Sequence, residues 1–221
     1  MIAIIQRDIT LAIRSGGAWL FGLFFFAVFI ALCAIALGGS LKVIRPLAPA
    51  IIWLSLVFST MLSFSSIFQD DFLDGNLAQF KISGQNIMSL CVAKAISFFL
   101  ISIFPLLIAT PISALILDMQ TPVVIATLLS IGLAAPALSV YGVFSGALLA
   151  GRRGGGFLIV LITTPFLIPL LIFGIEAING YKEAGLLTLE YRVLLGLSMI
   201  SIAVGLPVSY THLTLPTICS V

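Results

Sequence analysis

Residues 17–37 read GAWLFGLFFFAVFIALCAIAL, and this uncharged stretch decides the fold. An α-helix rises 1.5 Å per residue, so about 20 apolar residues cross the roughly 30 Å of hydrocarbon in a bilayer. Gly38 and Gly39 follow directly and end the apolar run. The stretch therefore predicts a helix that crosses a membrane.

The composition of the whole chain agrees with a membrane protein. Of its 221 residues, 61% are hydrophobic and 8% are charged, whereas a soluble domain carries roughly 25% charged residues. The net charge of +2 gives no indication of nucleic-acid binding. Cys33, Cys91 and Cys219 have no CxxC or other metal-ligand spacing, so we expect packing roles for them and no metal site.

Five further apolar stretches follow the first, and together they predict an all-α polytopic protein with six transmembrane helices. A single permease domain covers residues 1–208. Residues 209–221 are polar and lack helical periodicity, so we expect a non-native or disordered tail, with the native C-terminus lost around Pro207. The sixth stretch is then short of a full span unless it starts near Gly185. The predicted spans are 17–37, 47–68, 88–117, 123–150, 157–178 and 193–208.

An amphipathic pattern precedes the first span, with Ile2, Ile5 and Ile9 on one face of a helix and Arg7 and Arg14 on the other. This pattern predicts an N-terminal interfacial helix; the alternative is an extension of the first span. With the N-terminus inside, six basic residues lie on the cytoplasmic side and four on the other, which favours a cytoplasmic N-terminus. The six are Arg7, Arg14, Lys81, Lys94, Arg152 and Arg153, and the four are Lys42, Arg45, Lys182 and Arg192.

Four prolines, at positions 105, 111, 165 and 169, lie inside predicted spans. Each removes a backbone donor and bends its helix, and neighbouring helices can satisfy the freed carbonyls. Their role is either to set packing geometry or to act as hinges in a conformational cycle.

The long polar stretch between spans two and three, residues 68–83, reads FQDDFLDGNLAQFKIS. Its pattern predicts two short cytoplasmic helices separated by a break at Asp74-Gly75. We expect Asp70, Asp71 and Asp74 on one helical face, with the phenylalanines elsewhere. The stretch is either a solvated loop or a docking surface for a basic protein, and the need to bury Phe72 and Phe80 favours docking.

The pattern F-x-D-D-x-x-D-G-x-L-x-Q, from Phe68 to Gln79, resembles the CcmB family, the membrane subunit of the cytochrome c maturation ABC transporter. The resemblance covers roughly residues 1–207. It departs from the family at Gln69, where a basic residue is common, and in the C-terminal tail. Further matches are Pro49-x-Ile51-Ile52-Trp53, Ala93-Lys94, Pro105-Leu106-Leu107-Ile108, Arg153-Gly154-Gly155 and Pro169-Leu170-Leu171-Ile172-Phe173.

The resemblance implies a multi-pass, ABC-2-like permease of the bacterial inner membrane, often called the haem exporter. Two copies of the chain would pair with two copies of a CcmA-type ATPase. CcmC and CcmD would join the complex, and CcmE would act as the haem chaperone. The chain has no G-x-x-x-x-G-K-[ST] sequence, so we expect a transporter subunit and not an enzyme.

On this view the acidic and aromatic stretch couples the ATPase to the spans, and four arginines contribute more weakly to the same cytoplasmic surface. The predicted coupling residues are Phe68, Asp70, Asp71, Phe72, Asp74, Gly75, Leu77, Gln79, Phe80 and Lys81, and the four arginines are Arg7, Arg14, Arg152 and Arg153.

Haem enters as the transported or handled substrate, and no cofactor is expected to be resident in this chain. Haem iron is held by His, Met, Cys or Tyr, and the sequence has one histidine, His212, in the predicted tail. The scattered methionines predict core filling. Both direct haem export and ATP-driven release of a haem-loaded chaperone remain open.

Three alternative functions also suit a polytopic membrane protein. An ABC-2 exporter for lipid, polysaccharide or drug would share the fold and the coupling logic. An ion-coupled carrier or channel usually buries ionisable residues at mid-membrane, but here every charge lies at or near the end of a predicted span. An intramembrane protease needs residues, such as a histidine within a span, that the six stretches lack.

Overall fold

The computed structural model describes residues 1–15, 18–76, 79–80, 86–149 and 156–214, and all regular structure among them is helical. The α-helices are α1 (Ile2–Ser15), α2 (Ala18–Ala36), α3 (Leu41–Leu62), α4 (Ser66–Leu73), α5 (Ile87–Phe98), α6 (Phe104–Ile116), α7 (Thr121–Leu149), α8 (Gly156–Ala184), α9 (Leu189–Ile200) and α10 (Leu206–Thr214). A π-helical turn at Phe99–Ile103 joins α5 to α6, and another at Ser201–Gly205 joins α9 to α10. A 3-10 turn at Gly185–Leu187 precedes α9.

Six helical segments of the described chain are long and apolar enough to cross a membrane, which confirms the predicted fold class. They are Trp19–Ala36, Leu41–Leu73, Ile87–Ile116, Thr121–Leu148, Val160–Tyr181 and Leu189–Thr214. The third and sixth segments run through the two π-helical turns.

The second span begins earlier than predicted. Lys42 and Arg45, expected in a loop, lie in the first turns of α3. Gly38 and Gly39 take positive φ angles of 74° and 67° and end α2, so the chain restarts as helix at Leu41. Pro46 and Pro49 lie inside α3, and each removes one backbone donor from the helix. At the other end α3 stops at Leu62, and Phe68 belongs to the separate helix α4.

The sixth span differs most from the sequence prediction. It starts at Leu189 and runs to Thr214, so it is a full span. Residues 209–214 are helical, and Ser209 and Leu213 are buried; the expectation of a disordered tail is therefore wrong for these six residues. The prediction failed because the polar side chains bond to their own helix, as in the Ser209 hydroxyl to the Gly205 carbonyl at 2.6 Å. Residues 215–221 lie outside the described residues.

Helix α7 lies at the centre of the bundle and contacts α3, α4, α5, α6, α8, α9 and α10. Small residues on α7 allow these close approaches. A Cβ at Gly142 would lie 3.0 Å from the Phe64 ring, and one at Gly146 would lie 3.0 Å from the Phe64 carbonyl oxygen. The G-x-x-x-G spacing of these two glycines thus forms a groove that receives the turn before α4.

Candidate functional site

Helix α4 is anchored to the bundle by its inward side. Phe64, in the turn before it, and Phe68 within it are fully buried. Both pack over the groove on α7, because a Cβ at Gly146 would also lie 3.2 Å from the Phe68 ring. Asp71 follows Phe68 by three residues, so it lies on the same side of the helix and is 5% exposed. The acidic stretch therefore begins inside the fold.

The C-terminal end of α4 is open. Phe72 is 45% exposed and Leu73 is 72% exposed, and Asp74 and Gly75 are exposed at the end of the helix. Gly75 has a φ of 72°. The backbone N–H of Gln79 donates to the Gly75 carbonyl oxygen at 3.2 Å, which is the i to i−4 hydrogen bond of an α-helix. Gln79 is exposed and Phe80 is half-buried.

These positions correct the predicted acidic face. Asp71 points inward with Phe68, whereas Asp74 is exposed. Phe72, expected to need burial against a partner, is open in the single chain. The physical reason is that Asp71 finds cations inside the protein. Its carboxylate oxygens lie 2.8 Å from Arg7 Nη2 and 2.5 Å from Lys94 Nζ.

Arg7, Asp8, Asp71 and Lys94 form a closed ring of alternating charges, here called the charged ring. Asp8 completes it, because its carboxylate oxygens lie 2.8 Å from Arg7 Nη2 and 3.0 Å from Lys94 Nζ. Each carboxylate contacts both cations, and each cation contacts both carboxylates. The ring joins three elements: α1 through Arg7 and Asp8, α4 through Asp71, and α5 through Lys94.

Three members of the charged ring are almost fully removed from solvent. Asp8, Asp71 and Lys94 are 9%, 5% and 7% exposed, while the Arg7 side chain is 31% exposed. Burying a charge costs several kcal/mol unless an opposite charge and hydrogen bonds compensate. Two positive and two negative charges at these distances provide that compensation, and they leave no net charge.

Arg7 stays ionised in this setting. Burial by itself would lower the pKa of its guanidinium, but the hydrogen bond from Arg7 to Asp8 and the charges of Asp71 and Asp8 outweigh burial. They raise the pKa above its ordinary value. Arg7 is therefore a permanently charged member of the ring, and it is the most exposed of the four.

Aromatic contacts strengthen the link between the three elements. The Arg7 guanidinium lies 6.0 Å from the centre of the Phe80 ring, and Lys94 Nζ lies 5.9 Å from the centre of the Phe68 ring. Both distances are near the upper limit of a cation–π contact, which is about 6 Å. Phe80 also packs against Ile4, Leu90 and Ala93. Beside the ring, a cleft of about 160 Å³ opens between α1, α2, α4 and α5 and includes Trp19 and Ser97 among its lining residues.

The remaining predicted site residues fall into two groups. Arg14 is exposed in the last turn of α1. Leu77, Lys81, Arg152 and Arg153 lie outside the described residues, and the side chain of Asp70 is likewise not described.

Sequence analysis missed two members of the ring, Asp8 and Lys94. A signal for Lys94 was present, because it is the only charged residue between positions 87 and 116. An ionisable residue inside a span is a functional candidate whose partner has to be sought. Asp8 gave no such signal, since it lies among the polar residues of an amphipathic helix.

The profile of the CcmB protein family matches residues 1–212 of the chain. The chain belongs to the CcmB family. The match confirms the resemblance based on the 68–79 pattern and the further motifs. It includes α4, the charged ring and the six spans except for the last two residues of the sixth.

Curated members of the CcmB family are similar over most of their length. Heme exporter protein B of Haemophilus influenzae is 34% identical over 179 residues, which are 81% of each chain. The protein of that name from Bradyrhizobium diazoefficiens is 33% identical over 207 residues, 92% of each chain. In Pseudomonas aeruginosa it is 32% identical over 213 residues, 93% of this chain and 96% of the relative.

Proposed function

We propose that this chain is the membrane subunit of a haem exporter in cytochrome c biogenesis, coupled to ATP hydrolysis by a separate subunit. Relatives named heme exporter protein B match it over most of both chains, and six of its helical segments can span a membrane. The full sequence has no phosphate-binding G-x-x-x-x-G-K-[ST] motif, so a CcmA-type ATPase supplies the hydrolysis.

The observation that carries this proposal is the exposed C-terminal end of α4. Phe72 and Leu73 are large apolar residues open to the surroundings of the chain, and the exposed Asp74 follows them. An apolar pair bordered by a carboxylate suits a protein partner with an apolar pocket and a basic rim. We call residues Phe72, Leu73, Asp74, Gly75 and Gln79 the docking surface, and the ATPase binds there.

The complex contains further subunits. Two copies of this chain pair with two ATPase copies, and the exposed apolar faces of the spans are available for that pairing and for lipid. CcmC and CcmD join them in the bacterial inner membrane, and CcmE takes the haem. The N-terminus lies in the cytoplasm, which brings α1 and α4 to the side where ATP is found.

Haem is handled by the complex without a histidine ligand from this chain. His212 is the one histidine of the sequence, and it is exposed in the last turn of α10. The subunit acts mechanically: it transmits ATPase movement either to haem export or to release of the haem-loaded chaperone.

Co-purification with a CcmA-type ATPase tests the docking surface. The variant carries Leu73→Lys and Asp74→Lys, which place two cations opposite the basic rim. A matched control carries Leu186→Lys and Glu176→Lys, which make the same changes of charge at exposed positions near the other end of the bundle. We expect at least a tenfold loss of ATPase recovery for the first variant and none for the control.

Membrane insertion is measured on both variants, so that a folding defect is separated from a docking defect. Full ATPase recovery by the first variant, with normal insertion, contradicts the docking proposal. Equal losses in both variants contradict it as well, because the effect would then not depend on position.

A further inference from the structure

We infer that the charged ring positions the docking surface relative to the third span, with Asp8 and Lys94 as positioning residues that make α1, α4 and α5 move as one body. This inference rests on the proposed coupling function. It assigns a task to two residues inside the fold that do not touch the partner.

The closed geometry of the ring is the first support. Both oxygens of Asp71 are engaged, by Arg7 at 2.8 Å and by Lys94 at 2.5 Å. Moving α4 away from α5 therefore breaks the Asp71–Lys94 contact, and moving it away from α1 breaks the Asp71–Arg7 contact. Asp8 connects the same two cations from the other side, so no pair of these three elements separates without loss of an ion pair.

The choice of residue types is the second support. Well-packed apolar residues of similar volume are often as stabilising as a buried ion pair or more so. Core filling alone therefore does not require four charges here. Charges specify one arrangement of partners, because a carboxylate accepts a cation only at a short distance and in a defined direction.

The location of the ring is the third support. Asp71 lies between the exposed Phe72 and Leu73 and the buried Phe68, so the ring lies directly behind the docking surface. Lys94 lies in α5, and the π-helical turn at Phe99–Ile103 begins five residues later. Such turns interrupt the regular bonding of a helix and often occur at functional sites. Movement delivered to α4 thus passes to α5 and is absorbed at this turn, which lies before α6.

This arrangement predicts which distances change when the ATPase binds nucleotide. Gln69 is exposed on α4, Ile96 is 37% exposed on α5, and Leu115 is 81% exposed on α6. The separation of positions 69 and 96 stays constant, because both lie on the body fixed by the ring. The separation of positions 69 and 115 changes, because the π-helical turn lies between them.

Spin labels at these positions test the inference in the complete complex with the ATPase. Cys33, Cys91 and Cys219 are replaced by alanine, and pairs of cysteines are introduced as Gln69→Cys with Ile96→Cys or with Leu115→Cys. Labelled chains are diluted with unlabelled ones, so that distances between two copies do not contribute. Double electron–electron resonance is recorded without nucleotide and with ATP bound.

In the otherwise native chain, we expect the 69–96 distance to stay within about 2 Å and the 69–115 distance to shift by more. Lys94→Met removes one cation from the ring. The 69–96 distribution should then broaden and become dependent on nucleotide, and ATP hydrolysis should continue while haem-dependent turnover falls at least fivefold. The conservative variant Lys94→Arg keeps a cation between Asp8 and Asp71 and should restore a narrow 69–96 distribution.

The matched control is Arg45→Met, which breaks the exposed Arg45–Asp118 ion pair at the other end of the bundle and should leave both distances unchanged. The inference is overturned if Lys94→Met keeps the native 69–96 behaviour, or if that distance already follows nucleotide in the native chain. If the native chain does not bind the ATPase, the proposed function fails on its own. The ring is then judged on the free chain, where the 69–96 distribution must be narrow in the native sequence and broad in Lys94→Met.

Discussion

Lys94 is the residue that balances the charge of the two buried carboxylates in the candidate site. It is 7% exposed and is the only charged residue between positions 87 and 116. Its ammonium group faces the interior of the fold and lies 3.0 and 2.5 Å from the carboxylates of Asp8 and Asp71. Without it, two buried carboxylates would share the single guanidinium of Arg7.

We therefore predict that Lys94→Met destabilises the folded chain. Removing one partner from a buried ion pair typically costs about 3–5 kcal/mol, because the other charge stays buried without compensation. Thermal unfolding of the purified chain in detergent, followed by circular dichroism, measures the change in melting temperature.

The exposed pair at the other end of the bundle provides the comparison for Lys94. Arg45 and Asp118 are ion-paired with side chains 49% and 48% exposed, and such surface pairs contribute about 0–1 kcal/mol. Arg45→Met should shift the melting temperature far less than Lys94→Met. Equal shifts would contradict the special status given to the charged ring.

At the scale of single elements, the position of α4 depends on the groove of α7. Gly146 approaches the Phe64 carbonyl oxygen so closely that an added Cβ would lie 3.0 Å from it. A main-chain oxygen cannot move away from an added Cβ by a change of side-chain rotamer. The position of α4 and of the docking surface is thus set by a missing side chain on another helix.

Gly146→Val should displace the Phe64–Phe68 segment and lower stability by about 1–3 kcal/mol, which is typical of overpacking. The same substitution at Gly132, also in α7, meets no atom within 4 Å of its Cβ. Gly132→Val should be neutral or slightly stabilising, since glycine is the poorer helix former. Thermal unfolding of both variants measures the difference in stability. If Gly132→Val loses more stability than Gly146→Val, contact with the groove is not the cause of the destabilisation.

At the scale of the whole molecule, the alternation of six spans places α4 and the 3-10 turn after α8 at opposite ends of the bundle. With a cytoplasmic N-terminus, position 73 lies inside and position 186 outside. Leu73→Cys and Leu186→Cys, each in a chain without native cysteines, report this orientation. A membrane-impermeant maleimide applied to spheroplasts should label position 186 and spare position 73; the reverse pattern would contradict the proposed orientation and the cytoplasmic docking surface.

The mechanical role proposed for the subunit makes a second prediction for the whole molecule. His212→Ala should leave haem-dependent activity of the complex within about twofold of the native value, because His212 is exposed at the end of α10 and no role in haem ligation is assigned to it. Absorption spectra of the purified chain should show no histidine-ligated haem. A haem spectrum lost specifically in His212→Ala would disprove this role.

The sequence by itself determined the membrane fold, because apolar length and the scarcity of charge act locally and are read directly from the residues. The 68–79 pattern, together with the further motifs in spans two, three and five, was equally sufficient for the family. Helix ends were less predictable: Gly38 and Gly39 indicated one end of α2, but the early start of α3 and the continuation of α10 to Thr214 depend on packing and on side chains that bond to their own helix.

The tertiary structure alone decided how the acidic stretch is arranged. From the sequence, Asp71 and Asp74 were equivalent members of one acidic face. Only the packing of Phe64 and Phe68 into the groove of α7 turns Asp71 inward, where Asp8 and Lys94 from distant parts of the chain meet it. Charges 63 and 23 positions away form a ring with Asp71 because three helices converge there, and no local pattern in the sequence specifies that convergence.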